Sequence, residues 1–237
     1  MKALKLKIYQ NMCNYRKEGS FRYIETYPLP TPSMIRGMIH NVLGLKEYKP
    51  LLISIQGESQ GIITNLQRVY KFDRDPKSRP ENPYRVIIGE SEKTATHGIM
   101  FLDLHLNINL IIHISFEHEN GSLLEELLKK LQSDIVIIGR NEDFALIEHI
   151  KIVDVEESQD VTYTKYNMYV KEENINKSTS QFIRYRLPFW YYEVSSPKDN
   201  RVFSFVDVYY VGKETEVMNI MYDSEGDIVC FIHGNKE

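Results

Sequence analysis

Within PSMIRGMIHNVLG, helical spacing puts Ser33, Arg36, Gly37, His40 and Gly44 at i, i+3, i+4, i+7 and i+11, on one stripe. Their types suit an anion. Arg36 brings charge, and Ser33 brings a hydroxyl near a helix N-terminus, where backbone N–H groups already favour phosphate. Gly37 costs about 1 kcal/mol against Ala inside a helix, so a close neighbour is needed to offset it. A phosphate fits that requirement, and so does another element of the same chain packing tightly. Spacing alone leaves both open.

Two further stretches carry candidate chemistry. GRNEDF reads as a glycine-led turn in which Gly139 and Arg140 offer backbone N–H groups and a guanidinium to an anion. The same residues also make plain turns. Between 68 and 85, Arg68, Lys71, Arg74, Lys77, Arg79 and Arg85 interleave with Tyr70, Phe72 and Tyr84. Asp73, Asp75 and Glu81 reduce this to a net charge of +3. Cations for phosphates with aromatic faces for bases suit single-stranded RNA. A solvated hairpin is the plain alternative.

Signals for an enzyme are weak. The seven histidines show no HExxH, and neither they nor the two cysteines cluster at metal-ligand spacing, so no metal and no cofactor is expected. Walker A, GxGxxG and GxSxG patterns are missing too. A metal-independent ribonuclease needs only a general base and a cation, types that His40, His97, Lys93 and Tyr70 supply.

Several elements must position these groups. KALKLKIYQ alternates with period two, placing Leu4, Leu6 and Ile8 on a buried face and Lys5 and Lys7 on the other. Segment 11–27 reads as a loop. Met34, Ile35, Met38, Ile39, Val42 and Leu43 form an apolar helical stripe, with Thr31 as N-cap, Pro32 in the first turn and Gly44 as the left-handed stop. Strands are predicted at LLISIQ and over 101–116. The polar stretch between them is too long for a bare loop, so a projecting hairpin is predicted, with RVYKF and RVIIG as its stem. SLLEELLKKLQ predicts a second helix with a Ser122–Glu125 capping box. IVIIG and ALIEHIKIVDV follow as strands.

This order, strand, helix, strand, strand, helix, strand, predicts an α+β fold of the ferredoxin-like, RRM-like βαββαβ kind over residues 1–156, with the hairpin inserted at about 57–100. Beyond 157 the helical signal vanishes and tyrosine-rich strands predict a small C-terminal β-rich domain over 157–237, joined through VDVEESQD.

The 237 residues are 42% apolar and 26% charged, ordinary for a globular chain. Net charge is −4, but unevenly spread: residues 1–100 hold 16 Lys and Arg against 9 Asp and Glu, and the remainder holds 13 against 24. A basic face for nucleic acid on one part fits this split, as does solvated surface. Cys13 and Cys230 signal no disulfide framework, and no membrane span or signal peptide is apparent, so a cytoplasmic protein is expected.

Pro32, Ser33, Gly37, Leu43 and Gly44, followed later by Gly139, Arg140, Glu142 and Asp143, resemble the motifs of the fifth family of CRISPR-associated (Cas) proteins, in the RAMP superfamily. The resemblance covers about residues 1–155 and, more loosely, LPFWYYEV. It implies a ferredoxin-like domain with a β-hairpin thumb and a small C-terminal β domain. It also implies a subunit of the Cascade surveillance complex that grips the 5′ handle of the CRISPR RNA (crRNA) and contacts the backbone and large subunits in antiviral defence. The pattern is similar to subtype I-B, where a separate endonuclease cuts the precursor, so no catalytic residue is expected. In subtype I-C the corresponding protein is itself the endonuclease. The RNA-binding set is then Ser33, Arg36, Gly37, His40, Arg68, Tyr70, Lys71, Arg74, Gly139 and Arg140. A protein-interaction module without RNA contact is the third possibility.

Overall fold

The structure, a computed structural model, describes residues 1–75, 77, 84–117, 121–193 and 201–234, without the side chains of 73, 74 and 96. Arg79 and Glu81 of the charged stretch lie outside these residues. In chain order the elements begin with β1 (Lys2–Cys13), β2 (Tyr23–Ile24), α1 (Pro32–Leu43), β3 (Leu51–Glu58), β4 (Gly61–Arg74), β5 (Arg85–Ile88) and β6 (Ser91–Phe116). Then come α2 (Ser122–Leu131), β7 (Val136–Ile137), β8 (Phe144–Ser158), β9 (Thr162–Tyr163) and β10 (Asn167–Val170). The chain continues through β11 (Phe182–Glu193), β12 (Arg201–Val211), β13 (Glu216–Val217), β14 (Ile220–Asp223) and β15 (Ile228–Val229).

The fold is α+β, with one large sheet and two α-helices among the described residues. The sheet runs in the order β11-β12-β10-β3-β6-β1-β8-β14-β15, and the neighbours in its centre are antiparallel. Leu4, Leu6 and Ile8 of β1 pack in one cluster with Ile35 and Ile39 of α1 and Leu124 and Leu127 of α2. Both helices therefore cover the same face. Each such fully buried aliphatic side chain contributes about 1.5–3 kcal/mol.

Strand alternation predicts that Lys5 points to solvent. It is instead fully buried. The segment from β14 onward covers the back of the sheet: β14 pairs with β8, while Ile232 exchanges two backbone hydrogen bonds with Ile53 of β3. Between these anchors the chain lies across the strands. Gln56 Nε2 donates to the Ile228 carbonyl at 2.7 Å, and the Cys230 N–H donates to Ser54 Oγ at 3.0 Å. The back face is consequently buried although it is polar.

The turn 223–227 brings three carboxylates to the Lys5 ammonium, with Asp223 and Asp227 each at 2.6 Å and Glu225 at 2.9 Å. Asp223 also meets His113 Nε2 at 2.9 Å and accepts the N–H groups of Glu225 and Asp227. Gly226, at φ 83°, makes the turn possible. Burial opposes the charge on Lys5, but the three carboxylates outweigh it and raise its pKa. Burial also opposes ionisation of Asp223, yet His113 and Lys5 hold it below the usual carboxylate range. Glu225 is drawn down to about 2, by Lys5 first and then Lys151.

Three further expectations are corrected. The hairpin stem pairs Arg68–Lys71 of β4 with residues 96–99 of β6, and Arg85–Ile88 pair with Ser91–Thr94 instead. The first part of the RVIIG stretch thus makes a second, smaller turn beyond the main stem. Helix α2 has no capping box: Gly121, at φ 86°, is its N-cap, and no side chain caps it. Ser122 sits one position too late, already inside the helix. VDVEES is not a joint but the end of β8, where Val153 and Val155 pack on Ala3, Val229 and Phe231. Residues 157–237 add strands to both edges of the sheet, and Met168, Val170, Tyr209, Val211 and Ile220 belong to a second core cluster.

Breaking a buried ion pair from one side strands the other charge. Lys5→Met is therefore expected to destabilise the chain by about 3–5 kcal/mol in urea unfolding. Carboxylates with depressed folded pKa lend stability above their ordinary range and lose it as pH falls. For Glu225 this window runs from 4.5 down to about 2. Unfolding midpoints should drop through it, and Lys5→Met should flatten that drop.

Candidate nucleic-acid interface

Helix α1 forms as its ends dictate. Thr31 accepts the Met34 N–H, Pro32 opens the first turn, and Gly44 closes the helix at φ 68°. The sheet-facing side buries Ile35, Met38, Ile39 and Leu43. Ser33, Gly37, His40 and Gly44 instead line a cleft of about 710 Å³ between α1, segment 44–48 and the end of β11. A Cβ built on Gly37 would meet nothing within 4 Å. No other described element packs against that glycine, which excludes one of the two readings of its cost.

Arg36 also lines the cleft but is not freely offered to it. It is only 6% exposed, its Nη2 donates to the Lys49 carbonyl at 2.8 Å, and its guanidinium stacks on the Tyr48 ring at 4.0 Å. Nη1 is buried and makes no hydrogen bond among the described residues. The same holds for Nε1 of Trp190, which also lines the cleft. Trp190 lies 4.7 Å from Tyr48 and 5.7 Å from Tyr192, centroid to centroid. His40 Nε2 is 3.4 Å from Arg36 Nη2. Burial first, then that guanidinium, lowers the His40 pKa to about 4, so the ring is neutral at pH 7.

The second group lies along the hairpin. Tyr70 of β4 faces His97 across the pair, with ring centroids 6.1 Å apart, and meets Tyr84 edge-on at 5.5 Å. Tyr70 and Tyr84 are 40% and 50% exposed, so their rings remain available to stack. Arg68, also exposed, lies two positions from Tyr70 on the same strand, and the Tyr70 hydroxyl favours its charge. Lys71 is exposed one residue further on. Arg74 closes β4, and its side chain is among those not described.

The loop Gly139–Asp143 bears on the same hairpin. The Asp143 side chain is fully buried; its Oδ2 accepts the N–H of Arg140 at 2.8 Å and of Asn14 at 3.0 Å. The Arg140 guanidinium grips the same carboxylate through Nε and Nη2. Its Nη1 meets Glu142 at 3.0 Å and Gln67 of β4 at 3.4 Å. The expectation that this turn offers free donors to an external anion is therefore corrected. Its anion is Asp143. Gly139, at φ 115°, is required because a Cβ would stand 2.6 Å from Asp143 Oδ2 and 2.8 Å from the Asn14 carbonyl.

The predicted residues thus fall into two groups: Ser33, Arg36, Gly37 and His40 around the α1 cleft, and Arg68, Tyr70 and Lys71 with the Gly139–Arg140 loop along the hairpin. His40 is not beside His97, Tyr70 or Lys93, which belong to β4 and β6. Sequence reasoning missed Tyr48 and Trp190 as cleft residues. The aromatic cluster in LPFWYYEV was the available signal, but nothing local says that β11 packs on α1. Among the described residues, no three His, Cys, Asp or Glu stand together as metal ligands, and no helix is long and apolar enough to cross a membrane.

The sequence pattern of the family described as "CRISPR-associated protein (Cas_Cas5)" matches residues 3–213. Among solved structures, a chain of a "CRISPR RNA-guided surveillance complex" superposes with a TM-score of 0.57 at 13% identity, covering 90% of this chain and 91% of that one. A CRISPR protein from Archaeoglobus fulgidus, 10% identical over 100% of both chains, gives a TM-score of 0.49. The first likeness concerns the fold alone. A comparison with curated proteins found no match.

Two outcomes follow from this geometry. Gly139→Ala should destabilise the chain by at least about 1–3 kcal/mol in urea unfolding, from the disfavoured φ alone. The His40 ring should titrate by NMR near pH 4, and Arg36→Gln should move that midpoint partway up toward 6.5, since burial remains.

Proposed function

The chain belongs to the family of CRISPR-associated Cas5 proteins, and on that footing we propose that it is a non-catalytic subunit of a CRISPR RNA-guided surveillance complex. In this reading it holds the 5′ handle of the crRNA and contacts the backbone and large subunits of a subtype I-B-like Cascade, in the cytoplasm, during antiviral defence. The central order β3-β6-β1-β8, with both helices on one face, supports a ferredoxin-like domain. The β4–β6 hairpin is then its thumb, and residues 157–237 are the C-terminal β part.

The observation that carries the RNA assignment is the exposed cation–aromatic face of the hairpin, where Arg68, Tyr70, Tyr84 and His97 adjoin. Phosphates meet the cations, and unstacked bases meet the rings, each worth about 1–3 kcal/mol. The loop around Asp143 sets the root of this hairpin through Arg140 and Gln67. Gly139 and Arg140 therefore act as positioning residues in the reading we propose.

A non-catalytic role is supported by the scatter of the candidate acid–base groups. His40 is neutral at pH 7 and has a guanidinium beside it, but His97 and Tyr70 face each other on the hairpin. Incubation of the protein with repeat-containing RNA in EDTA is expected to leave the RNA intact. Clean cutting at the base of the repeat hairpin, lost in His40→Ala, would establish the endoribonuclease instead. In filter binding of handle RNA, Arg68→Ala and Lys71→Ala should each weaken affinity and lower the log–log salt slope by about 0.7. Unchanged binding in both would leave only the protein-interaction role.

A further inference from the structure

The segment from β14 onward does not cover the whole back of the sheet. On β12 it reaches Tyr209 and Val211, which share a core cluster with Ile220, Ile228 and Cys230. Toward the start of that strand the same side carries Arg201, Phe203, Phe205 and Asp207, since side chains two apart share a face. The register sets Arg186 opposite Asp207 and Tyr191 opposite Phe203, so β11 adds to this face. Leu187 and Val208, on the other side of the pair, belong to the main core with α1. An open patch therefore remains at the β11–β12 end, on the side away from the helices.

What stands on the patch is aromatic and cationic. Tyr191, Phe203 and Phe205 are 40%, 41% and 40% exposed, and the first two rings lie 5.7 Å apart. Arg201 lies over Tyr191 at 4.6 Å and Arg186 over Phe205 at 5.2 Å, and both arginines are exposed. Arg184 engages Asp207 at 2.8 Å. By register the face holds these three arginines against two acids, Asp207 and Glu193. Residues 101–237 as a whole hold 13 Lys and Arg against 24 Asp and Glu, so the balance of charge is reversed on this patch.

Same-face neighbours along a strand stand about 6–7 Å apart, roughly twice the 3.4 Å rise of a stacked strand. Bases lying on successive rings are therefore splayed from one another, which a single strand allows and a duplex does not. Guanidinium planes resting on rings extend the stacking surface and bring charge for phosphates. An acidic protein surface answers to the arginines alone. We infer that the β11–β12 face is a second contact for single-stranded RNA, separate from the β4–β6 hairpin. Phe203 and Phe205 each take a base, and Arg186 and Arg201 meet the backbone beside them. The inference rests on the RNA-binding reading above for the identity of the strand.

The full chain is titrated with labelled oligouridylate by anisotropy, and a 5-bromouridine version is photocrosslinked and mapped by peptide mass spectrometry. Crosslinks are expected at Tyr191, Phe203 or Phe205. Phe203→Thr with Phe205→Thr, which keeps strand-forming residues at exposed positions, should weaken binding at least about ten-fold while thermal unfolding is unchanged. Arg186→Gln and Arg201→Gln should each lower the log–log salt slope by about 0.7. Unchanged affinity in the phenylalanine pair, or crosslinks confined to the β4–β6 hairpin, would overturn the second contact, leave the hairpin reading standing and return the face to a protein partner. Loss in that pair with none in Arg68→Ala and Lys71→Ala would support this face and remove the hairpin as the RNA site. Oligothymidylate bound more tightly than oligouridylate through the same phenylalanines would overturn RNA as the occupant. No binding of either strand by the unaltered chain would overturn both readings.

Discussion

One buried ammonium holds the back of this sheet together. Lys5 lies in the central strand β1 and, on the face away from the helices, has nowhere to place its charge except among Asp223, Glu225 and Asp227. An isolated charge in that position would be intolerable, and three carboxylates without it would repel one another. Each side of the contact therefore requires the other. The same crossing segment hydrogen-bonds to Ser54, Gln56 and His113 Nε2, so the back face is closed by buried polar contacts together with the apolar cluster of Ala3, Val153, Val155, Val229 and Phe231.

Asp143 repeats the device on a smaller scale. A turn of successive N–H groups with an arginine makes a concavity for an anion, and the chain fills it with its own carboxylate. A filled nest is rigid. The Arg140 that helps fill it also reaches Gln67 of the hairpin strand β4 at 3.4 Å. The α1 cleft follows the opposite policy, leaving Arg36 Nη1 and Trp190 Nε1 without partners.

What was legible in the sequence was what is decided locally. The apolar stripe, Thr31, Pro32 and Gly44 specify α1 within a dozen residues, and the structure has the helix with those caps. The long polar insertion required a hairpin, and there is one. The stem register was not legible, since RVYKF pairs with residues 96–99 near the start of β6, a stretch without strand alternation of its own, and not with the more strand-like RVIIG. The α2 cap failed because Gly121, not Ser122, stands at the helix boundary. Lys5 and Trp190 were beyond local reasoning altogether. Each owes its surroundings to a segment far away in the chain, and alternation or composition carries no record of such neighbours.

That distance has a kinetic side. Lys5 and Glu225 are separated by 220 positions, and Ser54 and Cys230 by 176. Closing loops of this length costs conformational entropy before the contact returns anything, and folding slows as contacts become less local. Without the crossing segment, the sheet would have one covered face and one face with its polar groups in water. Beside the apolar Ala3, Val153 and Val155, that face carries lysine, serine, glutamine and histidine side chains, which water solvates. A back face sealed in part by hydrogen bonds presents less apolar surface to other chains, when uncovered, than a wholly apolar one would.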